Sequence, residues 1–385
     1  MKICTVVCNS VWFDPRVNKQ IASYRKEKDV ELFCVGTKCR RYDKEKIDAM
    51  KLPVTIVETP GKYSSFKRIK TPFGKIKREI IKNELIEKAI VAYNPDIIHA
   101  NDLDAFIPAM KAAKKLHCRV IYDSHEIYVE NHHIAANKLY SKLLRIVEAR
   151  LVKKCDMMVS VSHSAAEYFA KTYNIEKPMV VTNCVSKYQN NLSDKTEGVF
   201  EVLNHGQFMV ARGYDLMAYS CDLFKDYPDI KLSIRGLGAY EKNIREIVEK
   251  SENKENFIIY PPVTVQELIP MVSKSHVGVA ITEPVCLNFK LSVSNKLFEY
   301  AAAGLPVIMS DIPEHRFLNE KYDFGIIIPE NTPKAFADAV IRLYEDKEFY
   351  NRLSENAKKL SQEVNWENEF EKLLEFERSC MQSGK

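Results

Sequence analysis

Asn295 to Asp311 reads NKLFEYAAAGLPVIMSD: a short helix, a glycine stop, then a buried strand. Leu297, Tyr300 and Ala301 fall at helical spacing, and the alanine run favours helix. Gly304 suits the left-handed conformation that ends a helix. Pro306 follows, and residues 307–309 form an apolar strand. Lys296 and Glu299 share one face near the helix N-terminus. A cation beside free backbone N–H groups suits a phosphate. A carboxylate one turn further in accepts hydrogen bonds from a pair of sugar hydroxyls. Together they read as half of a nucleotide-sugar site.

Around this segment, short apolar strands alternate with longer helices. In the first half, strands are expected at 3–7, 30–35, 54–57, 97–99, 120–122, 157–161 and 179–181. Helices are expected around 15–28, 73–93, 105–116, 136–154 and 164–172. Such alternation implies a parallel sheet covered on both faces. A polar gap from Ser186 to Gly198, SKYQNNLSDKTEG, is the best linker. Strands then resume at 199–204, 230–234, 257–260, 277–280, 307–309 and 325–328. Helices resume around 213–225, 240–251, 264–272, 295–303 and 333–344. The fold expected is α/β, with two tandem Rossmann-like domains, residues 1–190 and 191–364, and a cleft between them. The tail 365–385, with Trp366, Phe370, Leu373, Leu374 and Phe376 available to pack, reads as a helix crossing back to the first domain.

The 385 residues suffice for two domains of ordinary size. A hydrophobic content of 46% and a charged content of 28% are those of a soluble globular protein. No apolar run approaches the roughly 20 residues that span a bilayer. MKICTVVC is broken by Asn9 and Ser10 too early for a signal peptide and reads as a first strand. Ten scattered cysteines include no CxxC pair. Cys4, Cys8, Cys34 and Cys118 lie in or beside apolar runs and read as reduced thiols of a cytoplasmic protein. His132 and His133 have no partner at zinc spacing, so no metal is expected.

The net charge of +5 hides an asymmetry. Residues 1–190 hold 34 Lys+Arg against 21 Asp+Glu, while residues 191–385 hold 23 against 31. The densest basic stretch runs from Lys62 to Lys88 and interleaves Phe66, Ile69, Phe73, Ile76, Ile80 and Ile81. It suits an amphipathic helix lying on the anionic inner face of a membrane, or equally a helix that covers the sheet with a solvated basic face. No RNA- or DNA-binding motif accompanies the charge, so nucleic acid is not an expected partner.

The strand ends carry the chemistry, since parallel sheets bind ligands there. After residue 204 the loop holds Gly206, Gln207, Arg212 and Gly213. A guanidinium at that helix start can grip a diphosphate, or stand solvated. The loop lacks the GxxxxGK[ST] pattern. Gly236 and Gly238 form a GxG turn that approaches a nucleotide or tightens a strand-to-helix turn. In the first half, Asp123, His125 and Glu126 cluster after a strand, where His125 reads as functional or structural. Asn101 and Asp102 suit sugar hydroxyls, although Asp102 or Asp104 could equally cap the next helix. Asp14-Pro15 is a helix start, which puts Arg16 and Lys19 in the first turns, suited to an anionic acceptor.

The order FDPRVNKQ, YDSHE, TNCVS, HGQ with Arg212-Gly213, RGLG and NKLFEYAAAGLPVIMSD resembles a GT-B glycosyltransferase. The nearest type is the retaining family 4 used in bacterial surface-polysaccharide assembly, and the resemblance covers nearly the whole chain. It implies a nucleotide-sugar donor, as substrate rather than cofactor, held by the second domain. A glycan or lipid-linked acceptor is held by the first, and no metal is required. Carried over by motif, Arg212 and Lys296 bind the diphosphate, Glu299 the ribose, and His125 the donor sugar near the reacting carbon. Retaining members show no clear protein nucleophile, so His125, Arg212 and Lys296 are the expected catalytic groups. Gly238 and Asn295 complete the donor set. Arg16, Asn101, Asp102 and Glu126 form the acceptor set. Three positions depart from the family pattern. Leu291 stands where its first acid falls, with Glu283 upstream as a substitute. Gln207 replaces a frequent Arg. Asn183-Cys184-Val185-Ser186 replaces Asn-Gly-Val-Asp. A sugar-nucleotide epimerase and a non-catalytic partner subunit of the same fold are the competing readings.

Overall fold

Apolar strands bounded by polar ends build two parallel sheets. The computed structural model describes residues 1–40, 42–58, 72–188 and 192–382, with the backbone alone at 72–76, 132 and 133. The chain divides into two compact units, Met1–Thr182 with Glu369–Lys385, and Asn183–Asn368. The first unit therefore closes at Thr182, ahead of the expected 190, and the chain returns to it at Glu369. The Thr182 N–H donates to Glu369 Oε2 at 2.7 Å, joining exit to return. The polar linker is fastened to the second unit: Ser193 N–H donates to Ser273 Oγ at 3.0 Å and Lys195 Nζ to the Ser275 carbonyl at 2.7 Å.

The first unit holds seven strands: β1 Lys2–Val7, β2 Glu31–Thr37, β3 Val54–Val57, β4 Ile97–Asn101, β5 Arg119–Ser124, β6 Met157–Ser160 and β7 Met179–Val180. They pair in parallel in the order β3-β2-β1-β4-β5-β6-β7. Chain order reverses between β1 and β4, the place where such sheets bind ligands. Val7 pairs with Asn101 and Asn101 with Asp123, so the polar ends of β1, β4 and β5 come level. The helix Pro15–Tyr24 starts where expected, with the Asp14 carboxylate accepting from Arg16 N and Val17 N at 3.1 Å. The carboxyl-terminal helix Trp366–Gln382 docks on this unit by burying Phe370, Leu373 and Leu374, and the Phe370 ring meets Tyr24 edge-on at 4.9 Å. Arg378 anchors it to Glu27 and Asp29 at 2.8 Å.

Residues 59–71, which hold much of the basic stretch from Lys62 to Lys88, lie outside the described residues. The rest of that stretch lies on the helix Pro72–Tyr93. There Ile86 and Ile90 are buried and Ile80 is exposed, and the helix packs on β2, β3 and the helix Leu103–Leu116, covering the sheet. Cys4 and Cys34 are buried as expected, whereas Cys8 and Cys118 are half-buried, and all ten cysteines are free.

The second unit repeats the plan with six strands: β8 Phe200–Gln207, β9 Ile230–Leu237, β10 Phe257–Tyr260, β11 Val277–Ala280, β12 Val307–Ser310 and β13 Gly325–Ile328. All pair in parallel in the order β10-β9-β8-β11-β12-β13, reversing between β8 and β11. The helix Asn295–Ala302 ends as its sequence requires: Gly304 takes φ +67°, and Leu305 N–H donates back to the Tyr300 carbonyl at 2.9 Å. The helix expected over 213–225 breaks into Tyr214–Tyr219 and a 3-10 turn, Cys221–Phe224, as the Ser220 hydroxyl bonds back to the Leu216 carbonyl at 2.7 Å. Helices Pro313–Tyr322 and Lys347–Glu363 add to the expected set. Among the described residues, no helix is long and apolar enough to cross a membrane.

Candidate active site

In the second unit the site grows from the end of β8. Asn204 is fully buried there and ties two cations together. Its Oδ1 accepts from Lys296 Nζ at 2.6 Å, and its Nδ2 donates to the Arg212 carbonyl at 3.0 Å. Arg212 Nη1 donates to Thr282 Oγ1 at 3.2 Å, and its guanidinium lies over Phe289 at 4.2 Å. Lys296 Nζ stands 5.0 Å from the centre of the Tyr214 ring. Both half-buried cations thus rest on neutral partners. Burial, reinforced by Arg212 and opposed by Glu299, pushes Lys296 down to about 7. Burial lowers Arg212 too. An anion bound here would relieve both.

Glu299 lies one turn along the same helix, its Oε2 3.3 Å from His205 Nε2. His205 is pushed down to about 3 by burial and by Lys296 and Arg235, so it is neutral. The buried Tyr214 hydroxyl and His315 Nε2 have no hydrogen-bond partner among the described residues. His315 feels the charge of Arg212 and is held neutral by burial. Buried polar atoms of this kind call for a ligand group or water.

The glycines here allow close approach. Gly213 has φ +76°, and a Cβ on it would meet Ile281 Cβ at 2.5 Å. Gly238 is explained by packing: a Cβ would stand 2.1 Å from the Phe208 carbonyl oxygen, so its absence requires no donor. Asn295 is exposed at the first helical position. The helix after Arg212 has only six residues, so the dipole expected there is small. Leu291 ends the short helix Leu287–Leu291. Glu283 N–H donates to the Ala211 carbonyl at 3.1 Å, which brings its loop beside Arg212. Burial and then Asp215 raise its carboxyl.

In the first unit, β4 and β5 end in a polar cluster. Asp123 is completely buried. It accepts from Arg16 Nε and Nη2 at 2.9 Å and from Gln20 Nε2 at 2.7 Å. His99 Nε2 lies 3.2 Å and His125 Nε2 3.7 Å from its Oδ2. Burial disfavours the Asp123 charge, but Arg16 and the two histidines outweigh this and hold it well below the usual carboxylate range. His125 is 15% exposed at its side chain, with Nε2 3.0 Å from Asn101 Oδ1 and Nδ1 3.7 Å from Asp102 Oδ2. Burial opposes its charge, yet Asp102 and Asp123 push it up to about 9.

Two expected acceptor contacts are corrected. Arg16 is 2% exposed and committed to Asp123 and to the Val181 carbonyl at 2.8 Å, a structural cation. Asn101 is fully buried, and its Nδ2 donates to the Val6 carbonyl at 3.0 Å, so it serves His125. Asp102 occupies a strained backbone, φ 64°, and makes no side-chain cap. Its Oδ1 accepts instead from the His125 N–H at 3.0 Å, and burial pushes its carboxyl up to about 7. Glu126 is half-buried and accepts from Asn131 Nδ2 at 2.8 Å. Asn204, His205, Thr282, Phe289 and Tyr214 in one unit, and His99 and Gln20 in the other, join these sites without having stood out in sequence. A polar residue in an apolar strand, as in the β4 run IIHAN, was the available signal.

Two family models divide the chain: "Glycosyltransferase Family 4" matches residues 16–187, and "Glycosyl transferases group 1" matches residues 189–360. No curated protein sequence matches. Solved structures match over the full length. HepE from Anabaena, in complex with UDP and glucose, is 14% identical with a TM-score of 0.73, covering 98% of this chain and 100% of its own. A glycosyltransferase from Rickettsia africae is 16% identical with a TM-score of 0.74, covering 100% and 99%. Sucrose-phosphate synthase from Thermosynechococcus elongatus is 14% identical with a TM-score of 0.76, covering both chains completely. At these identities the likeness is one of fold.

Proposed function

This chain belongs to the GT-B glycosyltransferases, family-4 type in its first half and group 1 in its second, and from that premise we propose its reaction. A hexosyl group passes from a nucleoside-diphosphate sugar to a hydroxyl of a glycan or lipid-linked acceptor, with retention of configuration, in cell-surface polysaccharide assembly. The observation that carries the reading is the pair of half-buried cations, Arg212 and Lys296, resting on neutral groups beside Glu299.

The second unit takes the donor. Arg212 and Lys296 hold the diphosphate, and Glu299 accepts from the ribose hydroxyls. As the glycosidic bond breaks, charge grows on the diphosphate. The two cations, already stripped of much of their water, stabilise that charge more than they stabilise the ground state. The first unit takes the acceptor, and its His125 is a charged imidazole able to donate to a sugar oxygen. Retention follows if the departing diphosphate accepts the acceptor's proton on the same face. Among nucleotides, UDP is the first to test, since HepE is solved with it. Incubation with a panel of nucleotide sugars and glycan or polyprenyl-linked acceptors should give donor-dependent transfer, and the anomeric NMR signal of the product should match that of the donor. No transfer with any donor, or an inverted product, would reject the reading.

We also place the protein at the cytoplasmic face of an anionic membrane. The helix Lys138–Leu151 supports this: Leu139, Leu143 and Ile146 lie exposed on one face, beside exposed Lys138, Lys142 and Arg150. Sedimentation with phosphatidylglycerol vesicles should pull the protein down, and Leu143→Asp should release it. Equal sedimentation of both proteins would remove the helix from consideration.

A further inference from the structure

The first unit contains a row of buried groups that begins on the carboxyl-terminal helix and ends at His125. Glu377, on that helix, is fully buried. Its Oε1 accepts from the Tyr24 hydroxyl at 2.5 Å and lies 3.5 Å from His99 Nδ1. Its Oε2 has no hydrogen-bond partner among the described residues. His99 is likewise fully buried, and its other nitrogen, Nε2, is 3.2 Å from Asp123 Oδ2. The same oxygen is 3.7 Å from His125 Nε2. A carboxylate stands at each ring nitrogen of His99, so the ring donates on both sides only as an imidazolium. Burial opposes that charge, yet Asp123 and Glu377 raise the His99 pKa.

We propose that Glu377 is a positioning residue for His125: it holds His99 as a cation, and His99 together with Arg16 fixes the Asp123 carboxylate against which His125 is set. No surface role explains a fully buried glutamate with one unbonded oxygen, since an uncompensated buried charge is costly. A merely structural anchor is already present in Arg378, which ties the same helix to Glu27 and Asp29 in solvent. Around His99 the facing groups are Gln20, Tyr24, Asp123 and Glu377. Around His125 they are Asp14, Arg16, Asn101, Asp102 and Asp123, with Asp14 Oδ2 4.0 Å from Nδ1 and Arg16 opposing the His125 charge. The proposal rests on the transferase reading for the meaning of His125, but the wiring itself does not.

The sign of the effect follows from charge. Glu377→Gln takes away one of the two carboxylates that raise the His99 pKa and leaves Asp123 alone against burial, so His99 is expected to become neutral. The cation lost behind Asp123 is nearer to His125 than the lost carboxylate, and His125 then holds its proton more tightly. Histidine-selective NMR on the full-length protein reads this without activity. In Glu377→Gln the His99 signals should change from imidazolium to neutral at pH 7, and the His125 midpoint should rise by about one pH unit. Arg378→Gln, which loosens the helix without touching the row, should lower thermal stability and leave the His125 midpoint alone. In the active enzyme, the alkaline limb of the kcat profile should move up with the midpoint in Glu377→Gln, with donor KM little changed. A His125 midpoint that is unchanged or lower in Glu377→Gln, or one that shifts equally in Arg378→Gln, would overturn the proposal. Failure of every donor in the transfer assay would reject the enzymatic reading instead, with the NMR result still deciding the wiring.

Discussion

Lys296 is held near neutrality by the surroundings that make it useful. Its pKa, pushed down to about 7 by burial and by Arg212, leaves it partly uncharged in the free protein at physiological pH. A bound diphosphate favours the charged form, so binding should take up a proton between that value and the ordinary lysine range of about 10.4. Affinity then falls as pH rises through this window. Calorimetry at pH 8 in buffers of different ionisation heat should give different apparent enthalpies, whereas identical heats would mean that Lys296 does not change charge. Glu299→Gln should weaken nucleoside diphosphate binding by about tenfold, since a charged hydrogen bond contributes roughly 1.5–3 kcal/mol. Inorganic diphosphate, which lacks the ribose, should bind the variant and the parent alike. Lys296 and Glu299 were legible in sequence because one helix carries both. Asn204, Thr282 and Phe289 were not, because they come to the site from strand ends and loops far along the chain. Arg16 misled for the opposite reason. Its first-turn position suggested solvent, but Asp123, distant in sequence, draws it into the core.

At the level of elements, glycine at 213 is a geometric requirement. Its positive φ and the 2.5 Å approach to Ile281 Cβ leave no room for a side chain. Gly213→Ala should cost about 1–3 kcal/mol in urea denaturation and weaken diphosphate binding through displacement of Arg212. Wild-type stability in the variant would contradict the packing. Phe370→Ala on the carboxyl-terminal helix, by removing a ring that packs on Tyr24, should cost about 3–5 kcal/mol. An effect below about 1 kcal/mol would mean that the helix is not docked as described. The strands were the most legible elements, since each is a short apolar run with polar punctuation. The helix Lys347–Glu363 escaped because its apolar positions, Leu353, Ala357 and Leu360, are few among charges. The helix Pro313–Tyr322 escaped because its buried residues include Glu314 and His315.

For the whole molecule, the six strands of the second sheet follow the order of the first six strands of the first sheet, and each sheet sets its polar groups at the strand ends beside the reversal, as parallel sheets do. That much follows from alternating apolar runs, and the carboxyl-terminal return from its aromatic face. The exact change of unit at Thr182 was not legible, because residues 182–187 bond there to residues 366–369, far along the chain. The reaction as a whole depends on whether the second unit is a diphosphate site. Isothermal titration of UDP and other nucleoside diphosphates into the full-length protein tests this most directly, comparing wild type with Arg212→Ala and Lys296→Ala. At least one nucleotide should bind the wild type, and each variant should weaken that binding by about tenfold or more. Binding left unchanged in both variants, or no binding of any nucleoside diphosphate, would contradict the assignment of these two cations to the donor.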